Sequence, residues 1–359
     1  MDTYQTIGEL IMGYLLERQL ESGVIWDEHR GDIAPDNGYQ NTFFALGCVQ
    51  MHHRRREEKW ISAARKALWY FRGIPRNRRG HLEFNNLAVV LLLTKITKLD
   101  VLDSPDYQWI EAFCKDYVSD LEFRVRPYGG MSNNWLAMRS ATHALVYAIT
   151  GEAREMKMAR KLMRNHILGY QLGDGFFYDY PNDANADNFS TPLTYHAKIC
   201  LMLAFFLESI WDCDVLKALV NGLDVLSHFI APSGQAFYFG RTNNGLFGYA
   251  AAIYAYELLA SLLSTSDSEK ALHYHRCAQR LLRFITRYQC LDGHVRIVPN
   301  SLEELRCGWD EYMHTTIYNA YAAAMLLLTA GEEPPGEEIE QIDKSDTSAS
   351  CYYASSAGL

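Results

Sequence analysis

Apolar residues recur at helical spacing through most of the chain, and short polar segments rich in glycine interrupt them at regular intervals. Leu258, Leu259, Leu262 and Leu263 show the helical spacing clearly. The pattern predicts twelve helices in six successive pairs, at 4–18 and 39–53, 57–72 and 84–96, 106–122 and 133–149, 154–170 and 191–208, 213–229 and 243–263, and 267–288 and 311–329. The fold class is therefore all-α.

The glycine-containing loops mark a long internal repeat. Their marker glycines follow one another at intervals of 46 to 59 residues, at Gly23, Gly80, Gly129, Gly175, Gly234 and Gly293. Six helical hairpins without distinct polar capping units favour a closed double ring, an (α/α)6 toroid, over an open solenoid. We expect one catalytic toroid over residues 1–330 and a flexible acidic tail over residues 331–359.

The two helices of each pair differ in character. The second is small and apolar, as in "YAAAIYAYELLASLL", and the first carries charge, as in "EKALHYHRCAQRLLRFITRY". The second helices are therefore expected to form the inner ring and the first helices the outer ring. Each glycine loop leads into an inner helix, so the loop side chains should meet at one mouth of the ring.

Composition indicates which binding partners and which cellular compartment to expect. A net charge of −9 makes nucleic acid and anionic membranes poor partners. Eight cysteines stand apart from one another, without CxxC pairs, which fits a reducing compartment. Neither a signal peptide nor a membrane-spanning run stands out, so we expect a cytoplasmic protein. The 23 tyrosines suit a cavity for a polar ligand, although helix contacts also use them.

Polar and aromatic residues concentrate in the loops that lead to the predicted mouth. "SNNW" contains more amides than one helix cap needs, and an arginine between a glycine and a helix start suits a carboxylate. Tyr195 and His196 offer proton-transfer groups, but neighbours on a helix diverge by about 100°, so one of the two should face the helix contacts. The candidate site residues are Asn134, Trp135, Asp174, Tyr178, Asp179, Tyr180, Asp187, Tyr195, His196, Tyr238, Arg241, Asn244, Asp310, Tyr312 and His314.

Motifs for cofactors and metals are not evident in the sequence. There is no P-loop, no dinucleotide-binding glycine motif and no GxSxG nucleophile elbow. Cys307, Asp310 and His314 lie close together along the chain, but no second Cys–His cluster completes a zinc set. We therefore expect neither a cofactor nor a metal, and a small molecule or an oligosaccharide as the substrate.

The ordered motifs resemble those of the (α/α)6-toroid polysaccharide lyases of the hyaluronate, chondroitin and alginate type, and the heparinase-like toroids. The matches are Asn134–Trp135, then Asp174 to Phe177 with Tyr195 downstream, then Gly240–Arg241. They cover most of residues 35–330, although each motif is short. Where the hyaluronate-type lyases carry a histidine, this chain has Tyr180.

The resemblance implies β-elimination at a uronic acid in an oligo- or polysaccharide. Carried over to this chain, Asn134 would neutralise the C5 carboxylate and thereby acidify the C5 proton. Tyr195 or His196 would handle the protons, and Arg241 would steady the substrate or the tyrosinate. The remaining candidate residues would line the substrate site.

Three other functions fit the same scaffold. An inverting hydrolase of the unsaturated uronyl type needs two carboxylates roughly 6.5–9.5 Å apart, for which Asp174, Asp179, Asp187 and Asp310 are candidates. An isoprenoid cyclase would use the aromatic residues to stabilise cations, but no DxDD or DDxxD cluster is present. A non-catalytic helical scaffold would not need so many polar groups at one mouth.

Overall fold

A computed structural model describes residues 3–34, 38–97, 104–123, 131–179, 191–238, 240, 242, 244–299 and 314–330. These residues form twelve α-helices: α1 (Thr3–Glu17), α2 (Gln40–Arg55), α3 (Glu58–Gly73), α4 (Leu82–Ile96), α5 (Pro105–Ser119), α6 (Asn133–Thr150), α7 (Ala153–Leu162), α8 (Leu193–Ser209), α9 (Cys213–Ser227), α10 (Leu246–Leu263), α11 (Ser268–Thr286) and α12 (Thr315–Thr329). The prediction of an all-α protein with twelve helices is confirmed.

Short non-α elements complete the described structure. A 3-10 turn covers Arg76–Arg78, and α7 continues into a π-helical turn, Met163–Ile167, and a 3-10 turn, Leu168–Tyr170. The first loop folds into a small antiparallel pair of strands, β1 (Trp26–Asp27) and β2 (Asp32–Ile33). The predicted tail, 331–359, lies outside the described residues, so its character stays a prediction.

The six even-numbered helices form a closed inner ring. They pack in the order α2, α4, α6, α8, α10 and α12, and α12 returns to α2. Their sides are buried almost throughout, as expected from their small, apolar sequences. The outer helices bury one stripe each, as α11 does with Tyr274, Cys277, Leu281 and Ile285. The toroid and its division into inner and outer helices are thus confirmed.

The pairing of the helices differs from the predicted one. Each inner helix packs most closely against the outer helix that follows it, as in α2 with α3 and α10 with α11, and α12 packs against α1. The reason is the length of the connections: residues 56–57 and 151–152 join an inner helix to the next outer helix, whereas the glycine loops are long. The N-terminal helix therefore closes the ring against the C-terminal one.

Several marker glycines have one structural role. Gly23, Gly175, Gly234 and Gly293 all have positive φ angles between 88° and 103°. A Cβ added to Gly234 would stand 2.1 Å from the Arg280 carbonyl oxygen, and the other three glycines approach a carbonyl of a neighbouring outer helix in the same way. Each loop thus turns tightly against an outer helix before it enters the inner ring.

One described helix, α10, has the length and composition that could cross a membrane, so the sequence-based expectation that no apolar run comes near that length was too strong. Of that helix 83% is buried inside the protein, as is usual for the core helix of a toroid.

Candidate active site

A cavity of about 240 Å³ opens where the inner helices begin. Every described residue that lines it lies at the start of an inner helix or just before one, which confirms that the loop side converges on one mouth. The described lining residues are Tyr39, His81, Phe84, Asn134, Trp135, Tyr195, Lys198, Thr242, Phe247 and Tyr318.

Aromatic rings form most of the cavity wall. Trp135 stacks on His81 with 5.9 Å between ring centroids and meets Phe84 edge-on at 5.5 Å. Phe84 also stacks on Tyr39 at 4.3 Å, and Phe247 contacts Phe84 edge-on at 5.7 Å. Because the rings hold one another in place, they form an ordered, largely apolar wall.

Among the described residues that line this cavity, Lys198 is the one lysine or arginine. Only 2% of its surface is exposed to solvent. Its Nζ donates to Oδ1 of Asn134 at 2.8 Å and lies over the rings of Phe84 and Trp135, at 4.2 and 4.6 Å from their centroids. Burial lowers the pKa of Lys198 to about 7, although the charges of Asp179 and Glu83 act in the opposite direction. The amine therefore changes charge near neutrality.

Asn134 links Lys198 to a buried carboxylate. Its Nδ2 donates to Oδ1 of Asp179 at 2.6 Å and to Oγ of Ser132 at 2.9 Å. The same Asp179 oxygen accepts the backbone N–H of Asn134 at 3.1 Å, so Asp179 caps the N-terminus of α6 from the following loop. Ser132, at the N-cap position, makes no capping bond with its side chain, and Asn133 instead donates to the carbonyl of Tyr178 at 2.6 Å.

Both polar atoms of the Asn134 side-chain amide thus already have hydrogen-bond partners. Its donor nitrogen faces the anion Asp179, and its oxygen accepts from Lys198. The arrangement does not fit the predicted role of Asn134 as the direct ligand of a substrate carboxylate. Asn134 instead holds the amine of Lys198 at the cavity wall.

The structure separates Tyr195 from His196. Tyr195 lines the cavity, one helical turn before Lys198 on the same face of α8. His196 is fully buried on the other side, where Nε2 pairs with the Gly222 carbonyl at 2.8 Å and Nδ1 accepts the Phe177 N–H at 3.4 Å. Burial lowers the pKa of His196 to about 4. The prediction of His196 as a proton-transfer group was wrong, because this ring is a neutral part of the core.

Other predicted residues lie away from the cavity lining. Asp174 is exposed at a turn, where it accepts the Phe176 N–H, and Tyr238 is 41% exposed. Asn244 accepts from Tyr249 and Gln235 and so holds its own loop together. Tyr178 contributes its backbone carbonyl to Asn133. For Asp174, Tyr178 and Asn244 a structural role explains the hydrogen bonds that the structure gives.

His314 has a place at the junction of the last and first units. It precedes α12 and is buried, with Nδ1 at 3.7 Å from Asp27 and 3.6 Å from Asp32. Asp27 accepts the backbone N–H of Thr316 at 3.0 Å and so caps α12. His314 therefore belongs to the ring closure. The remaining predicted site residues, Tyr180, Asp187, Arg241, Asp310 and Tyr312, lie outside the described residues.

Sequence reasoning missed Lys198, together with the aromatic residues of α4, α10 and α12. A signal for Lys198 was present: it is the one charged residue in "LTYHAKICLMLAFF", and it follows Tyr195 by three positions. A lysine inside an otherwise apolar inner helix needs a reason, because a buried ammonium group is costly.

Neither a protein-family model nor a curated protein sequence matches the chain. Its fold matches solved structures closely. An inactive variant of an α-1,6-mannanase of Salegentibacter sp., in complex with α-1,6-mannotetrose, superposes with a TM-score of 0.66 at 11% identity, over 91% of this chain and 100% of the mannanase.

Two further solved structures share the fold. A possible member of the GH105 family from Salmonella enterica has a TM-score of 0.61 at 14% identity and covers 92% of this chain and 94% of its own. A polysaccharide lyase has a TM-score of 0.59 at 10% identity, over 92% and 98% of the two chains. At these identities the likeness shows the shared toroid fold.

Proposed function

We propose that the protein is a carbohydrate-active enzyme that binds a uronic-acid-containing oligosaccharide in the aromatic cavity and cleaves it by β-elimination. The observation that carries this proposal is the position of Lys198 and Tyr195, which line one cavity from adjacent turns of α8. Solved structures with the same toroid include a polysaccharide lyase and an oligosaccharide-bound mannanase, so the scaffold suits carbohydrate chemistry.

The cavity has the properties that a charged sugar needs. Its aromatic wall offers apolar surface against which the C–H groups of a sugar can pack. Its volume of about 240 Å³ is smaller than that of a site for a drug-sized ligand, so one sugar unit is the natural occupant. Protonated Lys198 supplies a positive charge for the carboxylate of that unit.

The elimination then needs two proton transfers. When Lys198 binds the carboxylate, its charge stabilises the negative charge that develops as the C5 proton leaves. The Tyr195 oxygen, as phenolate, takes that proton. The C4–O bond breaks as the C4=C5 bond forms, and Tyr195 returns its proton to the leaving glycosidic oxygen.

An inverting glycoside hydrolase is the second candidate, and buried Asp179 favours it, because a carboxylate lies directly behind the cavity wall. Such an enzyme needs a pair of carboxylates. The mannanase with bound mannotetrose is an inactive variant in which two aspartates were replaced. The described lining of this cavity contains no carboxylate, and the predicted candidates Asp187 and Asp310 lie outside the described residues.

The cavity is less suited to an isoprenoid cyclase. The ammonium group of Lys198 lies over the faces of Phe84 and Trp135, which are the faces that a carbocation would need.

Incubation with a panel of uronic-acid oligosaccharides tests the proposal. Elimination creates a double bond conjugated to the carboxylate, so ultraviolet absorbance should rise together with the number of new reducing ends. Hydrolysis would give new reducing ends without the absorbance. That second result, or no cleavage across the panel, would overturn the lyase proposal, and Lys198→Met serves as the control for contaminating activity.

A further inference from the structure

Among the described residues, one turn that follows a glutamine occurs three times with the same hydrogen bonds. In each case a backbone N–H donates across the turn to the carbonyl four residues later: Leu20 to Val24 at 2.8 Å, Leu172 to Phe176 at 2.7 Å and Cys290 to His294 at 2.8 Å. A glutamine before each turn donates to the carbonyl of the turn glycine, from Gln19 to Gly23, Gln171 to Gly175 and Gln289 to Gly293. The three turns are therefore directly comparable.

The third turn differs from the other two in its chemistry. The two facing positions hold Leu20 and Val24 in the first turn and Leu172 and Phe176 in the second, but Cys290 and His294 in the third. Asp292 lies between Cys290 and His294. The Cys290 sulfur, a carboxylate oxygen of Asp292 and a ring nitrogen of His294 all lie within 4.8 Å of one another.

We propose that Cys290, Asp292 and His294 bind a zinc ion. A thiolate, an imidazole and a carboxylate are the three donor types that zinc uses in proteins. Zinc–ligand bonds of about 2.0–2.3 Å place neighbouring ligand atoms roughly 3.3–3.8 Å apart, so small side-chain rotations suffice to close the site. Three protein ligands leave one tetrahedral position for water.

The surroundings orient these ligands. Nδ1 of His294 lies 2.6 Å from Oδ1 of Asp292, and Arg18 donates to the other carboxylate oxygen at 3.3 Å. The positive charge of Arg18 opposes a cation, but Arg18 also pairs with Glu28 at 2.5 Å, which offsets that charge. The ring of His29 packs on the ring of His294, with 4.7 Å between the two ring centroids.

The site lies at the seam of the ring, where the last helical unit meets α1. The turn glycine, Gly293, packs against the carbonyl of Leu10 in α1, so the turn of the last unit rests on the first helix. An ion bound there would hold the turn in its ring-closing conformation and stabilise the folded protein over the unfolded chain. This role is independent of the reaction in the cavity.

The test is a titration of the metal-free full chain with Co²⁺ and with Zn²⁺. We expect one ion per chain, a thiolate-to-cobalt charge-transfer band, displacement of Co²⁺ by Zn²⁺ and a higher melting temperature with Zn²⁺. The variants Cys290→Leu and His294→Phe should lose the band and the thermal shift. Both variants should fold, because leucine and phenylalanine already occupy these positions in the second turn, as Leu172 and Phe176.

Cys213→Ser is the matched control, because Cys213 is a partly exposed thiol elsewhere in the ring, on α9. It should keep the band and the thermal shift. Failure of the wild-type chain to bind a stoichiometric ion would overturn the proposal. So would a charge-transfer band that survives in Cys290→Leu, since another thiol would then be the ligand.

Discussion

The Nζ atom of Lys198 lies 2.8 Å from Oδ1 of Asn134, and within the described chain this lysine forms no ion pair with a carboxylate. The same amide donates to Asp179 at 2.6 Å, so one asparagine separates a buried cation from a buried anion. A direct lysine–aspartate pair would neutralise the cation. The inserted amide instead leaves the charge of Lys198 available to the cavity.

Affinity for a uronate should fall as the pH rises through about 7. Burial lowers the pKa of Lys198 to about 7, so the free protein loses the positive charge above that pH, whereas a bound carboxylate favours the protonated amine. The affinity should drop about tenfold per pH unit above the pKa. Calorimetry with glucuronate between slightly acidic and alkaline pH measures this.

Lys198→Met is the control for that experiment, since methionine fills similar space without a charge. Its affinity for glucuronate should be low and independent of pH. A wild-type affinity that stays constant across neutrality would show that Lys198 does not bind the carboxylate.

Asn134→Asp should move the pH dependence of turnover to higher pH. The new carboxylate would lie against the Lys198 amine and raise its pKa, while it also repels Asp179. Turnover should fall, because Lys198 would pair with the new carboxylate rather than with the substrate. The pH profile of kcat/KM gives the measurement. Asn133→Ala, which changes an amide bonded to the Tyr178 carbonyl, should leave the midpoint of the profile in place.

Tyr195→Phe should stop the reaction but not binding. The phenylalanine keeps the ring at the cavity and removes the oxygen that transfers the proton, so kcat should fall by about 10²–10⁴. The dissociation constant for glucuronate should change little, because Lys198 is intact. Tyr178→Phe is the matched control, since Tyr178 contributes its backbone carbonyl rather than its ring to the site. Turnover near the wild-type rate in Tyr195→Phe would remove Tyr195 from the mechanism.

Sequence periodicity predicted the helices well because inner and outer helices need different distributions of apolar residues around the helix. An inner helix such as α10 must be small and apolar on every side, and an outer helix such as α11 needs one apolar stripe, so both leave clear patterns. The predicted pairing failed because composition does not reveal which outer helix an inner helix contacts. That choice depends on loop length and on the closure of α1 against α12.

The site was predictable only in part, because the sequence does not show which face of an inner helix points into the cavity. A glycine loop shows where polar residues gather, and Asn134, Trp135 and Tyr195 do line the cavity. Which face of α8 turns inward depends on its rotation in the ring. That rotation puts Lys198 in the cavity and His196 against the Gly222 carbonyl. On a helix that is apolar all round, the sequence contains no stripe that would report it.

Gly234→Ala should destabilise the fold by about 2–4 kcal/mol. Gly234 has φ of 88°, and an added Cβ would meet the Arg280 carbonyl oxygen at 2.1 Å, so the loop would have to leave α11. Urea unfolding followed by circular dichroism gives the free energy. Gly173→Ala is the control, because a Cβ there would meet nothing within 4 Å. Equal losses in the two variants would mean that the close approach to α11 contributes nothing.

Asp27→Ala should open the ring at its seam. Asp27 is fully buried, and its carboxylate accepts from the backbone N–H of Thr316, at 3.0 Å and 289 positions away along the chain, and from the N–H of His29 at 3.1 Å. Loss of this cap leaves buried donors unsatisfied and should cost about 1–3 kcal/mol.

Amide hydrogen exchange distinguishes two roles of Asp27, closing the ring between α1 and α12 or only capping α12. Exchange in Asp27→Ala should accelerate in both α1 and α12, because these helices pack together and close the ring. Asp212→Ala removes a cap far from this contact, since Asp212 accepts from the N–H groups of Asp214 and Val215 and pairs with Arg164 at 3.2 Å. It should accelerate exchange at the start of α9 and leave exchange in α1 and α12 unchanged. If α1 and α12 of Asp27→Ala exchange as slowly as in the wild type, helix packing closes the ring and the buried carboxylate only caps α12.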